Sequence, residues 1–320
     1  MKEKMLPFAF SKGEISAGRF ISNRRNLSVH DLSISMNKSE STTSHIVKGL
    51  EAKGIVETRR TGMKKIVNIS DRNHAFTFSE IFKSEQYIPW ENILSNSNIA
   101  VLLRDVTGES SFEDGVSSIS KWRAVRNLSM YGMYINQTNG HSARNRNLST
   151  FLREYSDFVS MKHLTEKLPA DAAIIWRSGY NCLFKIRDTS INESKELPDG
   201  SIITALTAAP NYGIQYITRD SYYFYEPGLD KLSLEDVILH TLLIDPESQT
   251  FNTYAILLML KNKNEINLKL FLEKSQKYDL KESAKNLISY IKSEGKIRKW
   301  PLPDPKDLRE QADLYGVRIS

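Results

Sequence analysis

The chain has 320 residues, 40% hydrophobic and 26% charged, with a single cysteine and a formal net charge of +6. This length allows two or three domains with separate cores, and the lone Cys182 excludes an internal disulfide framework and fits a reducing compartment. The longest apolar run, near Ala255–Leu260, is too short to cross a bilayer, and Met1–Pro7 lacks the apolar stretch of a signal peptide, so a cytoplasmic chain without a membrane partner is expected.

Charge is placed unevenly. Residues 1–150 hold 21 Lys+Arg and 14 Asp+Glu, a net +7, whereas residues 151–320 hold 23 and 24, a net −1. A basic amino-terminal half beside a neutral carboxy-terminal half points to a polyanion as partner of the former. A merely lysine-rich surface gives the same imbalance, so charge alone does not separate the two.

The first stretch carries Lys12-Gly13-Glu14 and Ala17-Gly18. Each glycine costs a helix about 1 kcal/mol, so this element is expected to be irregular or partly extended. Val29–Met36 reads as a short helix with Val29 and Leu32 inward, and Asn37-Lys38 supplies a turn. Ser39 is a good N-cap and Glu40 suits the positive helix end. Thr43, Ile46, Val47 and Leu50 then follow the three/four spacing of a buried stripe. This leaves Ser41, Ser44, His45 and Lys48 elsewhere on the helix. Gly54 sits where a helix ends in a left-handed residue. Ile55–Arg60 and Lys64–Ile69 read as two strands joined through Gly62, with Arg59, Arg60, Lys64 and Lys65 at the tip.

Helix, turn, helix and basic-tipped hairpin is the order of a winged helix-turn-helix. There, a capped helix presents short polar side chains to base edges while the hairpin neutralises phosphates. Residues 29–71 resemble MarR/ArsR-type winged-helix regulators. The resemblance rests on Ser39, Ser41, Thr42, Ser44, Lys48 and the step Leu50-Glu51-Ala52-Lys53-Gly54-Ile55-Val56. It implies contact with double-stranded DNA through Ser39, Ser41, Thr42, Ser44, His45, Lys48 and the hairpin cations. Winged helices also serve as dimerisation or docking modules without touching DNA.

A second copy of this pattern begins 78 residues later. Val47 pairs with Val125, Lys48 with Arg126, Leu50 with Leu128, Gly54 with Gly132 and Gly62 with Gly140, a period that suggests a tandem pair of one module. Its expected parts are a helix over Glu91–Arg104, a second at Ser111–Ser117, and a third capped by Ser117 or Ser120. Lys121, Arg123 and Arg126 make that third helix basic. An extended run from Met133 to Gly140 follows, with His141–Arg146 on its far side. This copy lacks the Arg-Arg/Lys-Lys tip, and Trp122, Tyr131 and Tyr134 suit an interface. A second DNA reader and a packing module both remain open.

From Phe158 the texture changes. A helix to Lys167 is broken at Leu168-Pro169. Five strand-like runs follow at 172–179, 182–186, 202–206, 213–218 and 222–225, with a polar loop over Asp188–Gly200. Ser233 and Asp236 open a helix with a capping box. Further helices are expected over Gln249–Lys261, Ile266–Lys277, Leu280–Ser293 and Asp307–Tyr315. The expectation is therefore an α+β chain: winged helices at 1–85 and 86–155, then a small mixed sheet with helices at 156–320.

The order of elements, with Ile217–Tyr225 and Leu232–His240, is similar to antitoxin regulators of the AbiEi family of type IV toxin–antitoxin systems. That resemblance implies a nucleotidyltransferase-like fold, a toxin-like protein partner or a second copy on the carboxy-terminal domain, and autoregulation. An active nucleotidyltransferase needs paired carboxylates for Mg²⁺. Asp199-Gly200-Ser201 has no such pair after it, and Asp220 stands alone or in a cluster with Arg177 and Arg219. The histidines lack ligand spacing, and His240 reads as a hydrogen-bonded packing residue. The reading is a DNA-binding transcriptional regulator acting by operator occupancy, with no catalytic residue, cofactor or metal.

Overall fold

In the computed structural model the described residues are 7–108, 110–113, 115–137, 140–143, 145–187 and 197–317. They form an α+β protein whose chain divides into two compact units, Met1–His163 and Leu164–Ser320. Most of the polar loop expected over Asp188–Gly200 lies outside the described residues.

The first unit opens with α1 (Lys12–Asn23), a regular helix where an irregular segment is expected. Ser11 Oγ accepts from the Glu14 amide and Glu14 Oε2 accepts from the Ser11 amide at 2.7 Å, a reciprocal cap. Its glycines serve packing. An added Cβ would stand 2.5 Å from Phe78 at Gly18 and 2.9 Å from Ile46 at Gly13. Close approach of neighbouring helices outweighs the intrinsic helix cost of glycine, which is about 1 kcal/mol.

Next come β1 (Leu27–Ser28), α2 (Val29–Met36), α3 (Glu40–Ala52), β2 (Val56–Thr61) and β3 (Lys64–Ile69). The strands form an antiparallel sheet in the order β1-β3-β2. Asn37, left-handed at φ 49°, turns the chain between α2 and α3. The helices α4 (Asn73–Ser84), α5 (Trp90–Ile93) and α6 (Asn96–Thr107) follow. The single helix expected over Glu91–Arg104 is thus broken at Leu94-Ser95. Short polar side chains compete for the backbone there: Ser95 Oγ donates to the Asn92 carbonyl at 2.9 Å. The helix expected at Ser111–Ser117 is only a 3-10 turn, Ser110–Glu113, and Gly115 follows it at φ 79°.

The 78-residue offset reappears in backbone geometry. The helix α7 (Ser118–Met130) has 13 residues, as α3 has, and starts after Ser117 at φ −65°, ψ 153°, against −66°, 151° at Ser39. Gly54 and Gly132 end the helices at φ 66° and 68°. Ile55 donates to the Leu50 carbonyl at 3.0 Å and Met133 to that of Leu128 at 3.0 Å. Val56 and Tyr134 then begin β2 and β4 (Tyr134–Gln137). The second hairpin, β4 with β5 (Gly140–Ala143), is two-stranded and shorter. Gly62 therefore lies in a turn, whereas Gly140 is already paired with Gln137.

The helix expected from Phe158 begins much earlier, as α8 (Arg146–Lys167). Within the first unit its Phe151 and Tyr155 rings pack on Phe10 at 6.2 and 5.2 Å, and the Tyr155 hydroxyl donates to the Phe8 carbonyl at 2.8 Å.

The second unit is built on β6 (Ala173–Ser178), β7 (Asn181–Arg187), β8 (Ser201–Ile203) and β9 (Asp220–Tyr225), in the order β6-β7-β9-β8. Every pairing is antiparallel, so the sheet is not mixed. The run expected at 202–206 ends at Ile203 and turns into the short α9 (Ala205–Ala208). Residues 213–218 form no strand: Gly213, at φ 77°, caps a 3-10 turn, and Ile217 is 98% exposed. The helices α10 (Leu234–Ile244), α11 (Gln249–Lys261), α12 (Leu268–Lys277), α13 (Lys281–Lys292) and α14 (Pro305–Leu314) complete the unit. Ser233 and Asp236 form the expected capping box. The sheet's Leu183 and Phe224 join Ile238, Leu242, Ile256, Leu258, Phe271 and Leu287 in one core. Among the described residues no helix is long and apolar enough to cross a membrane.

Candidate nucleic-acid interface

The helix α3 is held by one stripe and leaves another open. Thr43, Val47 and Leu50 are fully buried, and Ile46 is half-buried. At three/four spacing on another face, Ser41, His45 and Lys48 are exposed and Ser44 is half-buried. Ser39 and Thr42, expected among the contact residues, are engaged with each other. Ser39 Oγ accepts from the Thr42 amide at 3.2 Å and lies 2.8 Å from the Thr42 hydroxyl. Their visible task is capping. At the same helix end Glu40 Oε1 lies 2.6 Å from His30 Nδ1.

The hairpin does not gather its four cations on one face. Cross-strand partners share a face, and the register pairs Arg60 with Lys65, Thr61 with Lys64, and Arg59 with Ile66. Arg60 and Lys65 therefore lie on the face of Thr58 and Val67, which packs toward α3. Thr58 donates to Glu51 Oε1 at 2.7 Å, and Lys65 lies 3.8 Å from Glu51 Oε2. Arg59 and Lys64 project from the opposite face, where the Arg59 guanidinium donates to Asn26 Oδ1 at 2.8 Å. Sequence reasoning treats the four as one cluster, and strand alternation divides them.

The corresponding face of α7 has a different chemistry. Where α3 has Ser41, Ser44, Lys48 and Ala52, α7 has Ile119, Trp122, Arg126 and Met130. Ile119, Trp122 and Met130 are 62%, 61% and 75% exposed. Trp122, which the sequence suits to an interface, stands in solvent. The Arg126 guanidinium lies 5.6 Å from the Trp122 ring centroid. Lys121 is neutralised by Glu113 at 2.9 Å, while Arg123 is exposed. Ala124 and Leu128 hold the helix from its buried side.

Beneath α3 lies a charge pair that the sequence does not announce. Lys53 Nζ donates to Glu14 Oε1 at 2.7 Å, with side chains 11% and 6% exposed, and the ammonium lies 5.6 Å from the Phe10 ring centroid. The imidazole of His74 donates from Nε2 to the Lys53 carbonyl at 3.1 Å, and burial holds its pKa below the usual histidine value.

In the second unit, Asp220 pairs with Lys185 at 2.7 Å, in place of the cluster with Arg177 and Arg219. His240 is fully buried, bonded through Nδ1 to the Thr204 hydroxyl at 2.8 Å and through Nε2 to the Tyr278 hydroxyl at 2.9 Å. Its ring stacks on Phe224 at 4.4 Å, and burial drives its pKa down to about 3. The Cys182 thiol is buried and pushed up to about 12. Among the described residues no group of three His, Cys, Asp or Glu is placed to hold a metal ion.

Residues 200–317, from the start of β8 to beyond α14, match a family model described as HVO_2833_C, C-terminal. No curated protein and no solved structure matches the chain.

Proposed function

We propose that the chain is a sequence-specific double-stranded DNA-binding regulator whose first module occupies an operator. The carrying observation is the outward face of α3, with Ser41, His45 and Lys48 exposed and Ser44 half-buried, beside Arg60 and Lys65 on the α3-facing side of the hairpin. Short polar side chains on that helix suit base edges in a major groove, while the hairpin cations suit the flanking phosphates. Duplex contact is assigned to the first module. Ile119, Trp122 and Met130 give the equivalent face of α7 the chemistry of a protein contact.

Selection of bound sequences from random duplex DNA at moderate salt tests this reading. One enriched motif is expected. His45→Ala and Ser44→Ala should chiefly relax its sequence preference, whereas replacing Arg60 and Lys65 together should weaken all duplexes. Trp122→Ser with Met130→Ser should leave duplex affinity unchanged. A purified, folded chain that ignores duplexes in dilute buffer removes the proposal.

A further inference from the structure

Behind the hairpin, on the side away from α3, the first unit contains a cleft of about 730 Å³. This is within the size range of small-molecule sites, roughly 300–1,000 Å³. Arg24 and Arg25, just past the end of α1, line it together with Arg59 from the outer face of β2. Arg59 is held in place: its guanidinium donates to Asn26 Oδ1 at 2.8 Å, and the Asn26 amide donates to Asn68 Oδ1 at 2.8 Å. The cleft's cations, Arg24, Arg25, Arg59 and Lys83, outnumber its carboxylates, Glu57, Asp71 and Glu154.

Two further observations point to an anion. The 12-residue α4 presents its amino-terminal end to the cleft through Asn73, with no side-chain cap bond and no acidic residue in its first turn. Its first turn carries no carboxylate to neutralise the positive helix end, and Asp71, just before the N-cap, lines the same cleft. Ser22 also lines the cleft. It is 8% exposed, and its buried hydroxyl has no hydrogen-bond partner. A buried hydroxyl without a partner carries a desolvation penalty that an acceptor in the cleft relieves. Phe76, 61% exposed, also lines the cleft.

We propose that this cleft is a phosphate-binding site, in which guanidinium groups and the Ser22 hydroxyl grip the phosphate, bidentate contacts from arginine being the strongest available. The phosphate has two sources: the monoester group of a small metabolite, or the backbone of a bound duplex. Only the second rests on the reading of α3 given above.

Calorimetric titration of the full chain with inorganic phosphate, with adenosine monophosphate and with a selected duplex distinguishes them. The chain is compared with Arg24→Gln/Arg25→Gln, whose side chains are exposed, and with Ser22→Ala, which removes a hydroxyl that bonds nothing in the free protein. Saturable binding of phosphate or the monophosphate, weakened about tenfold in the double variant and several-fold in Ser22→Ala, assigns the free ligand. Loss confined to the duplex, with a shallower salt dependence, assigns the backbone phosphate. Affinities for all three probes that are the same in both variants overturn the site. A chain that binds the monophosphate but no duplex overturns the α3 reading and leaves the cleft standing.

Discussion

Lys53 and Glu14 form a buried ion pair 39 residues apart in sequence, with 2.7 Å between Nζ and Oε1. It ties the start of α1 to the end of α3, so the helix proposed above to read DNA is anchored at its far end by a charge. Removing one member of a buried pair leaves the other uncompensated, at a typical cost of about 3–5 kcal/mol. Glu14→Ala should approach that loss, since it also breaks the cap on Ser11. Lys53→Met, which leaves Glu14 with its bond to the Ser11 amide, should cost less. Amide hydrogen exchange in α1 and α3 gives both values, and equal protection in the two variants would contradict the asymmetry.

Gly18→Ala should destabilise the first unit although alanine is the better helix former. Helix propensity favours the change by about 1 kcal/mol. The new methyl would stand 2.5 Å from Cε1 of Phe78, in a region where Phe78, Phe82 and Phe151 already pack together. Overpacking a filled core costs about 1–3 kcal/mol, so the net sign is a loss. A lower midpoint on thermal unfolding checks it, and a higher one would mean that the Phe78 ring moves aside at little cost.

The division of hairpin cations has a readable consequence. Each phosphate neutralised on duplex DNA contributes about 0.9 to the slope of log K against log salt. Arg60→Gln with Lys65→Gln should therefore flatten the slope by about 2. Arg59→Gln should flatten it less, because that guanidinium faces the other side and is bonded to Asn26. Fluorescence anisotropy at four or five salt concentrations measures each slope. Equal losses for Arg59 and Arg60 would erase the distinction between the faces.

Local chemistry was legible wherever a side chain acts on its own backbone. Ser39, Ser117 and Ser233 cap the helices that follow them, and Gly54 and Gly132 end theirs. The 78-residue spacing of these caps and turns was legible for the same reason. What escaped depends on contacts distant in sequence. Gly13 and Gly18 look like helix breakers until Ile46 and Phe78 come to rest on them. The run 213–218 alternates like a strand but finds no partner strand, and the first half of α8 is recognisable only once Phe151 and Tyr155 meet Phe10. Within the candidate interface, the stripe of α3 follows from helical spacing. The facing of Arg59 against Arg60 needs the strand register, and the Arg24/Arg25 cleft needs the fold.

His240 should make the second unit sensitive to mild acid. Its ring is fully buried between Phe224 and Tyr278, and burial together with the nearby Lys277 and Lys274 opposes protonation, while Asp236 favours it. The folded-state pKa is about 3 against an unperturbed 6.5. Above pH 6.5 the imidazole is neutral in both folded and unfolded chains and contributes no pH dependence. Below it the unfolded chain takes up a proton that the folded one refuses, so stability falls as pH falls, down to about pH 3. His240→Gln keeps a donor and an acceptor for Thr204 and Tyr278 but does not titrate, so the variant should lose less stability than the parent between pH 7 and pH 5. The difference, read from hydrogen exchange of α10 amides, should open below pH 6.5 and widen with acidity. Parallel curves for the two proteins would mean that the buried ring is protonated in the fold as readily as in the open chain, against its full burial and its two hydroxyl partners.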